Sequence, residues 1–430
     1  MGTEITLEVG KLTLDWSKNS RGVDHGVLFQ ERDRKRHPSD QLDYEYIAEN
    51  NEDVGDAEMA FVRSLRDVVP RLELLGFTLQ RAEREYTNRV DAWREEYQWE
   101  SENEDKSTPD IMNFDEFKSF ATKHSLKDLS SDYIDYDTPN RDELARGRFN
   151  SDSETQRLPS SSQWDNYYSE TSYFGQMINI LHPYSILRIL AVNTDNLAVD
   201  VVWQYGPLIE SGWASEAEFT PNARRTQTFL IATEGNSDVR ILEHAFKLLR
   251  PEIADFFRFI DMSSGYPFTG ASNLVQFAKG LATIDLLNQV VVLFDNDAAG
   301  FRAYKQLLKH TLPLNIRVMM LPELDEFHAF RTKGPQGETY ADINRRAAAI
   351  ECYLDTSNGE PLVVWTSYME DLKIYQGALD KKEEYTNAFM QQTLETVSAG
   401  SYDLKKLNAV LDSLSTECIS MAMGIHQERC

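Results

Sequence analysis

The chain has 430 residues, 41% of them hydrophobic, and its 70 Asp and Glu against 44 Lys and Arg give a formal net charge of −26. Such content supports a sizeable core and two or three domains, while an acidic balance by itself repels nucleic acid, whose phosphates are bound by cations that displace counterions. No apolar run approaches the roughly 20 residues that span a bilayer, the N-terminus lacks a signal segment, and three cysteines with no C-x-x-C pair fit a reducing compartment without a zinc module, so a cytoplasmic protein with no membrane partner is expected.

Residues 1–225 read as an α+β domain. Ile5 to Val9 and Leu12 to Trp16 alternate apolar and polar residues around Gly10-Lys11, a β-hairpin signal. Met59, Phe61, Val62, Leu65, Val68 and Val69 suggest a helix interrupted by Pro70, and a second helix is expected over Thr78 to Tyr97. Residues 100–110 and 127–165 are rich in acidic, Ser, Asn and Pro residues and read as surface loops, with Tyr133, Tyr136, Trp164, Tyr167 and Tyr168 set among them.

Residues 226–360 alternate strand and helix. Thr228 to Thr233, Phe256 to Ile260, Gln289 to Phe294 and Ile316 to Leu321 are short apolar runs of the kind buried in a parallel sheet. Between them, Val239, Leu242, Ala245, Phe246 and Leu249 recur at helical spacing up to Pro251, a helix follows from Ser272 to about Ile284, and another spans Phe301 to Leu308. The fold class expected is α/β, a four-stranded parallel sheet flanked by helices, followed over 361–430 by one more strand at Leu362 to Trp365 and a mainly helical extension.

Two acidic motifs follow strands of this unit and open helices: Glu234-Gly235-Asn236-Ser237-Asp238 and Asp295-Asn296-Asp297-Ala298-Ala299-Gly300. The carboxyl edge of an open α/β sheet is where ligands bind. Residues two apart on an extended chain share a face, which sets Asp295 beside Asp297, and adjacent carboxylates repel unless a cation separates them. Hard oxygen ligands of this kind suit Mg²⁺, or Mn²⁺ in its place, with Glu234 and Asp238 facing them. Gly235 is expected to let the chain turn sharply, and Ala298, Ala299 and Gly300 to keep bulk away so that a phosphate can approach. Each motif also has a bland reading: Asn236 or Ser237 as an ordinary helix cap with Asp238 in the first turn, and Asp295-Asn296-Asp297 as an Asx turn. A calcium EF loop is excluded, because Ala299 and Gln306 stand where oxygen ligands are needed.

The order E-G-x-x-D after one strand and D-x-D-x-x-G after another resembles the Toprim fold of topoisomerases, bacterial primases and small nucleases, over about residues 226–350. The resemblance implies that Glu234 is a general acid or base and that Asp295 and Asp297 hold Mg²⁺. Without a gate domain or a zinc module, it implies a nuclease that cuts DNA or RNA. The stretch Asp342 to Leu354 resembles the late acidic helix of overcoming-lysogenization-defect nucleases, which makes Asp342 and Glu351 second-metal ligands and gives Lys333 or Arg345 the charge on the leaving phosphate. The alternative is an amphipathic helix whose acids face water. The N-terminal segment is similar to the domain that precedes HEPN or Toprim modules in bacterial conflict and phage-defence proteins.

Almost all of the −26 lies outside Ile231 to Ile350, so the catalytic unit is near neutral. The acidic remainder is either a solvated surface or a dock for a basic partner. No G-x-x-x-x-G-K-S/T loop is present, so ATP-driven control requires a partner ATPase or sensor subunit, and a homo-oligomer is open. Two other functions compete. A Toprim scaffold binds nucleic acid or a partner without cutting; and Arg32 and His37, four residues apart in between, have the spacing of HEPN ribonucleases, although Pro38 and the strand-like Val27-Leu28-Phe29 flank them where that family has a helix.

Overall fold

The structure, a computed structural model, describes residues 3–40, 42–50, 53–101, 110–159, 167–260, 270–284, 286–357 and 359–428. It divides into two compact units, Met1–Ala223 and Arg224–Cys430. Most of the 100–110 segment, Trp164, residues 261–269 and Cys430 lie outside the described residues.

The first unit is built on an antiparallel sheet. Strands β1 (Glu4–Val9) and β2 (Leu12–Lys18) form the expected hairpin, turning at Gly10 with φ +61. Strands β3 (Arg34–Arg36), β4 (Met59–Ser64) and β5 (Asp200–Gln204) complete the order β2-β1-β5-β4-β3. Its helices are α1 (Tyr44–Asn50), α2 (Leu65–Leu74), α3 (Leu79–Ser101), α4 (Phe114–Thr122), α5 (Arg141–Arg146), α6 (Glu170–Ile178), α7 (Pro183–Leu190) and α8 (Gly206–Glu210). The helix expected from Met59 is a strand as far as Ser64, because Ala60, Phe61, Val62 and Arg63 are all buried, β5 pairs with Ala60 to Ser64 on one edge and β3 with Met59 to Phe61 on the other. The Ser64 hydroxyl then accepts from the Asp67 N–H and starts α2, which continues past Pro70. The stretch 127–165 holds α5 and several 3₁₀ turns instead of being loop throughout.

The second unit carries the parallel sheet. Strands β6 (Phe229–Ala232), β7 (Phe257–Phe259), β8 (Gln289–Phe294) and β10 (Ile316–Met320) lie in the order β10-β8-β6-β7, all parallel, joined through α9 (Asn236–Leu249), α10 (Ala271–Thr283) and α11 (Ala298–Leu307), with a two-residue strand β9 (Asn296–Asp297) after β8. Leu274, Val275, Ala278 and Leu281 of α10, with Ala303 and Leu307 of α11, bury against Val290, Val292 and Phe294 of β8. Phe246 of α9 stacks on Phe257 at 3.9 Å. From β6 the chain moves outward to β7, returns to β8 on the other side of β6, and continues away to β10. Connections leave β6 and β8 in opposite directions, so a crevice opens between their carboxyl ends.

A second sheet follows: β11 (Phe330–Gly334) and β12 (Gly337–Ala341), then β14 (Val363–Met369) and β15 (Ile374–Leu379), in the order β12-β11-β14-β15, while β13 (Ala347–Ala348) pairs with β9. Helices α12 (Lys382–Met390), α13 (Leu394–Ser398) and α14 (Lys405–Glu428) end the chain, and α14 packs on α9. The region after 361 thus opens with two strands, not one. The helix expected over Asp342 to Leu354 is absent: Arg345 has φ +57, Ala347 and Ala348 are extended against β9, and only Ile350–Tyr353 forms a 3₁₀ turn. No helix among the described residues is long and apolar enough to cross a membrane.

A candidate carboxylate centre

Glu234 sits at the carboxyl end of β6 and Asp295 at that of β8, on the two sides of the crevice. The Asp295 N–H donates to Glu234 Oε1 at 3.0 Å, which ties the two motifs together. Asp297 caps α11, its Oδ1 accepting from the Gly300 N–H at 2.7 Å. Asp238, in the first turn of α9, accepts from the Gly235 N–H at 3.0 Å, and Asp295 Oδ1 accepts from Ile350 N–H at 3.2 Å. Glu351 is buried in the 3₁₀ turn that follows. Glu234 and Asp297 are partly exposed at the rim, Asp238 and Glu351 are buried at the floor, and Asp295 lies between, lining the same small cavity as Asp238.

Asp238 and Asp295 line a small cavity whose other walls include Leu242, Leu293, Phe294, Leu321 and Ile350. Burial against such walls penalises charge. It pushes the Glu234 carboxyl up to about 8, with Asp297 and Asp238 adding repulsion, and the Asp238 carboxyl up to about 7, with Glu351 adding to it. Asp295 is raised well above the usual carboxylate range, by burial first and then by Asp238, Glu234, Asp297 and Glu351; Asp297 is raised by burial. Among the described residues no three His, Cys, Asp or Glu side chains are arranged as a ready cage for a metal ion. Part of each of Glu234, Asp238, Asp295 and Asp297 is instead turned to a backbone N–H. The donor chemistry nevertheless fits a hard divalent ion: carboxylates gathered in a low-dielectric crevice, where neighbouring acids add to the raised pKa of Glu234, Asp238 and Asp295.

These shifts fix a sign. A carboxyl whose pKa is raised in the fold keeps its proton there while the unfolded chain has already lost it, so stability falls as pH rises between the two values and levels off above the folded one. The metal-free protein is expected to lose stability from about pH 4.5 to about pH 8 through Glu234, whose folded value is about 8, and Asp238, whose folded value is about 7. Thermal melts in EDTA across that range check this; a melting temperature that rises over it contradicts the assignment.

The middle residue of Asp295-Asn296-Asp297 faces the other way and is fully buried. Asn296 Nδ2 donates to Asn344 Oδ1 (3.1 Å) and the Tyr353 hydroxyl (3.2 Å), and Oδ1 accepts from Arg345 N–H (2.7 Å). This clamp holds the 344–353 segment, and hence Glu351, against the motif. The D-x-D pattern gave no sign of it. Gly235 has φ −153, an extended conformation open to any residue, and a Cβ there would meet nothing closer than 3.9 Å, so the sharp turn expected of it is not made. Gly300 is required, though by the chain itself: a Cβ would lie 2.3 Å from the Asp295 carbonyl oxygen and 2.9 Å from Glu234 Oε1. Gly270, at φ +89 before α10, opens instead onto a hollow of about 200 Å³ lined by Ala271, Ser272, Ala299, Arg302 and Gln306 among others. That hollow adjoins the centre, since the Gly270 N–H donates to the Glu234 carbonyl. A larger hollow of the first unit, lined by Glu83, Asp115, Glu116 and Glu154, is acidic and contains none of these residues.

Of the other residues singled out, Lys333 is exposed on β11 opposite Glu338, and Asp342 pairs with His328 Nδ1 at 3.2 Å; among the described residues no hydrogen bond or ion pair joins either to the carboxylates. Arg345 pairs with Glu323 and lies over the Phe301 ring. Among the described residues a cation that does reach the centre is Lys382, at the start of α12, with Nζ 3.5 Å from Glu351 Oε1. Only its place in the fold identifies it. Arg32 stands exposed in a 3₁₀ turn and His37 follows strand β3, so the pair is not presented on a helix. Their neighbours Asp33 and Arg34 serve the framework, Asp33 pairing with buried Arg63 and Arg34 with Glu31 and the Tyr205 hydroxyl. His244 bonds the Gln392 carbonyl and packs on Phe389.

The model of the HEPN/Toprim N-terminal domain 1 matches residues 1–227, just over half of the chain. No curated protein and no solved structure matches it. On that match, the chain belongs to the family defined by HEPN/Toprim N-terminal domain 1.

Proposed function

We propose that the second unit is a Toprim-type, Mg²⁺-dependent nuclease that hydrolyses phosphodiester bonds of DNA or RNA. The observation that carries this reading is the 3.0 Å bond from Asp295 N–H to Glu234 Oε1, which joins acids 61 residues apart at the switch point of a parallel sheet. Glu234, Asp295 and Asp297 would hold the ion, with Asp238 and Glu351 beneath. A divalent ion bound there supplies Lewis acidity, lowering the pKa of water and stabilising the departing oxygen. Glu234, protonated near neutral pH in the metal-free centre, is suited to move a proton at its carboxyl. The start of α10 and Arg302, itself paired with Asp371, would line the path of the substrate's phosphates beside the rim.

The family's name associates the N-terminal domain with nuclease modules, and on that ground we place the protein in bacterial anti-phage defence, in the cytoplasm, with a partner ATPase or sensor subunit supplying control. One observation favours a second reading: with the carboxylates turned to backbone N–H groups and no ready cage among the described residues, the unit would serve as a scaffold that binds nucleic acid or a partner without cutting. Incubation of the purified chain with supercoiled DNA, linear DNA and tRNA in Mg²⁺ or Mn²⁺ separates the two. Cutting abolished by EDTA and by Glu234→Gln, and unchanged in His37→Ala, is expected. Binding without cutting under every condition favours the scaffold, and cutting that survives EDTA but not His37→Ala moves the activity to the Arg32/His37 pair.

A further inference from the structure

Two acids at the floor of the centre, Asp238 and Glu351, are buried. Glu351 acts on Asp238 by repulsion, and buried carboxylates in such a pair call for a compensating cation. In a centre that loads two metal ions the second ion meets that need. Here a side chain of the protein already stands in place: Lys382 Nζ lies 3.5 Å from Glu351 Oε1, and its charge acts on Asp238 as well. The backbone is specialised to deliver it. Lys381, the residue before α12, has φ +54, a left-handed conformation that residues other than Gly, Asn or Asp rarely adopt. Helix α12 packs on the 3₁₀ turn that carries Glu351, and that conformation starts the helix where the Lys382 ammonium group meets Glu351.

We propose that Lys382 is the built-in second cation of this centre: its ammonium group occupies the Glu351 and Asp238 side, and the protein binds one divalent ion, on Glu234, Asp295 and Asp297. This inference rests on the metal-centre reading above. Lys382 is thus a positioning residue that holds Glu351 and excludes a second ion.

The test counts ions in the full-length chain, by calorimetric titration with Mn²⁺ and by the electron paramagnetic resonance of free Mn²⁺ at about pH 7.5. The wild type is expected to bind one Mn²⁺, Lys382→Arg one, and Lys382→Met two, the second lost again in Lys382→Met/Glu351→Gln. Two ions in the wild type, or one in a Lys382→Met protein whose melting and circular dichroism match the wild type, overturn the proposal and leave the nuclease reading standing. If Lys382→Met does not fold, the wild type and Lys382→Arg counts decide. No ion bound by the wild type overturns both.

Discussion

Asp295→Asn is expected to abolish metal-dependent cutting while raising the melting temperature of the metal-free protein. Asn keeps the shape and the acceptor for the Ile350 N–H, so the local fold has no reason to change. What disappears is a charge that the fold disfavours, by burial first and then by Asp238, Glu234, Asp297 and Glu351. Near pH 8 the loss of that repulsion is expected to add about 1–2 kcal/mol, or roughly 2–8 °C for a unit of this size. The same substitution removes a direct ligand, so affinity for Mg²⁺ should fall by more than the 10–100-fold typical of outer-shell changes. Melts in EDTA and in Mg²⁺ read both effects: at saturation the ion should stabilise the wild type by about 2.7 kcal/mol at 100 times its Kd, and the variant hardly at all. A variant less stable than the wild type in EDTA would mean that the acids are not held together against their own repulsion.

Gly300→Ala is expected to destabilise the second unit by roughly 3 kcal/mol or more, near the upper end for overpacking. The added Cβ would stand 2.3 Å from a backbone oxygen, that of Asp295, which no rotamer change relieves, and 2.9 Å from Glu234 Oε1. Helix α11 would have to withdraw from the end of β8, taking Asp297 with it. Cutting should therefore fall even at temperatures where the variant is folded. Gly235→Ala is the control, since its backbone is extended and its Cβ meets nothing within 3.9 Å. Urea titration of both variants should separate them clearly; similar midpoints would contradict the packing described at the head of α11.

The contrast between these glycines marks how far the sequence could be read. Both belong to motifs, Gly235 expected to turn the chain and Gly300 to admit a phosphate, yet only coordinates reveal which neighbour a missing side chain makes room for. Strands β6, β8 and β10 were legible because continuous apolar runs such as Val290 to Phe294 have few other uses, and the helices between them because their spacing repeats. Two segments misled. Ala60 to Arg63 fit a helical period only because a strand paired on both edges also buries consecutive residues. Ala347 to Ile350 had helical composition, and the buried amide of Asn296, far away in the chain, drew the segment into an extended path instead. Within the centre, Glu234, Asp295 and Asp297 were identifiable from motif spacing. Lys382 was not, because it lies 85 residues past Asp297 in a run of ordinary lysines and glutamates. The N-terminal hairpin was plain from alternation, whereas the pairing of β5 with β1 joins residues nearly 200 apart, that with β4 residues about 140 apart, and neither leaves a local trace.

Glu234, Asp295 and Asp297 are expected to share one divalent ion. Crystals of the full chain grown with Mn²⁺ and measured for anomalous scattering test it most directly. An anomalous peak about 2.0–2.3 Å from oxygens of all three residues is the predicted result. A map with no peak between them at saturating Mn²⁺, or with the ion bound elsewhere on the chain, would contradict the account.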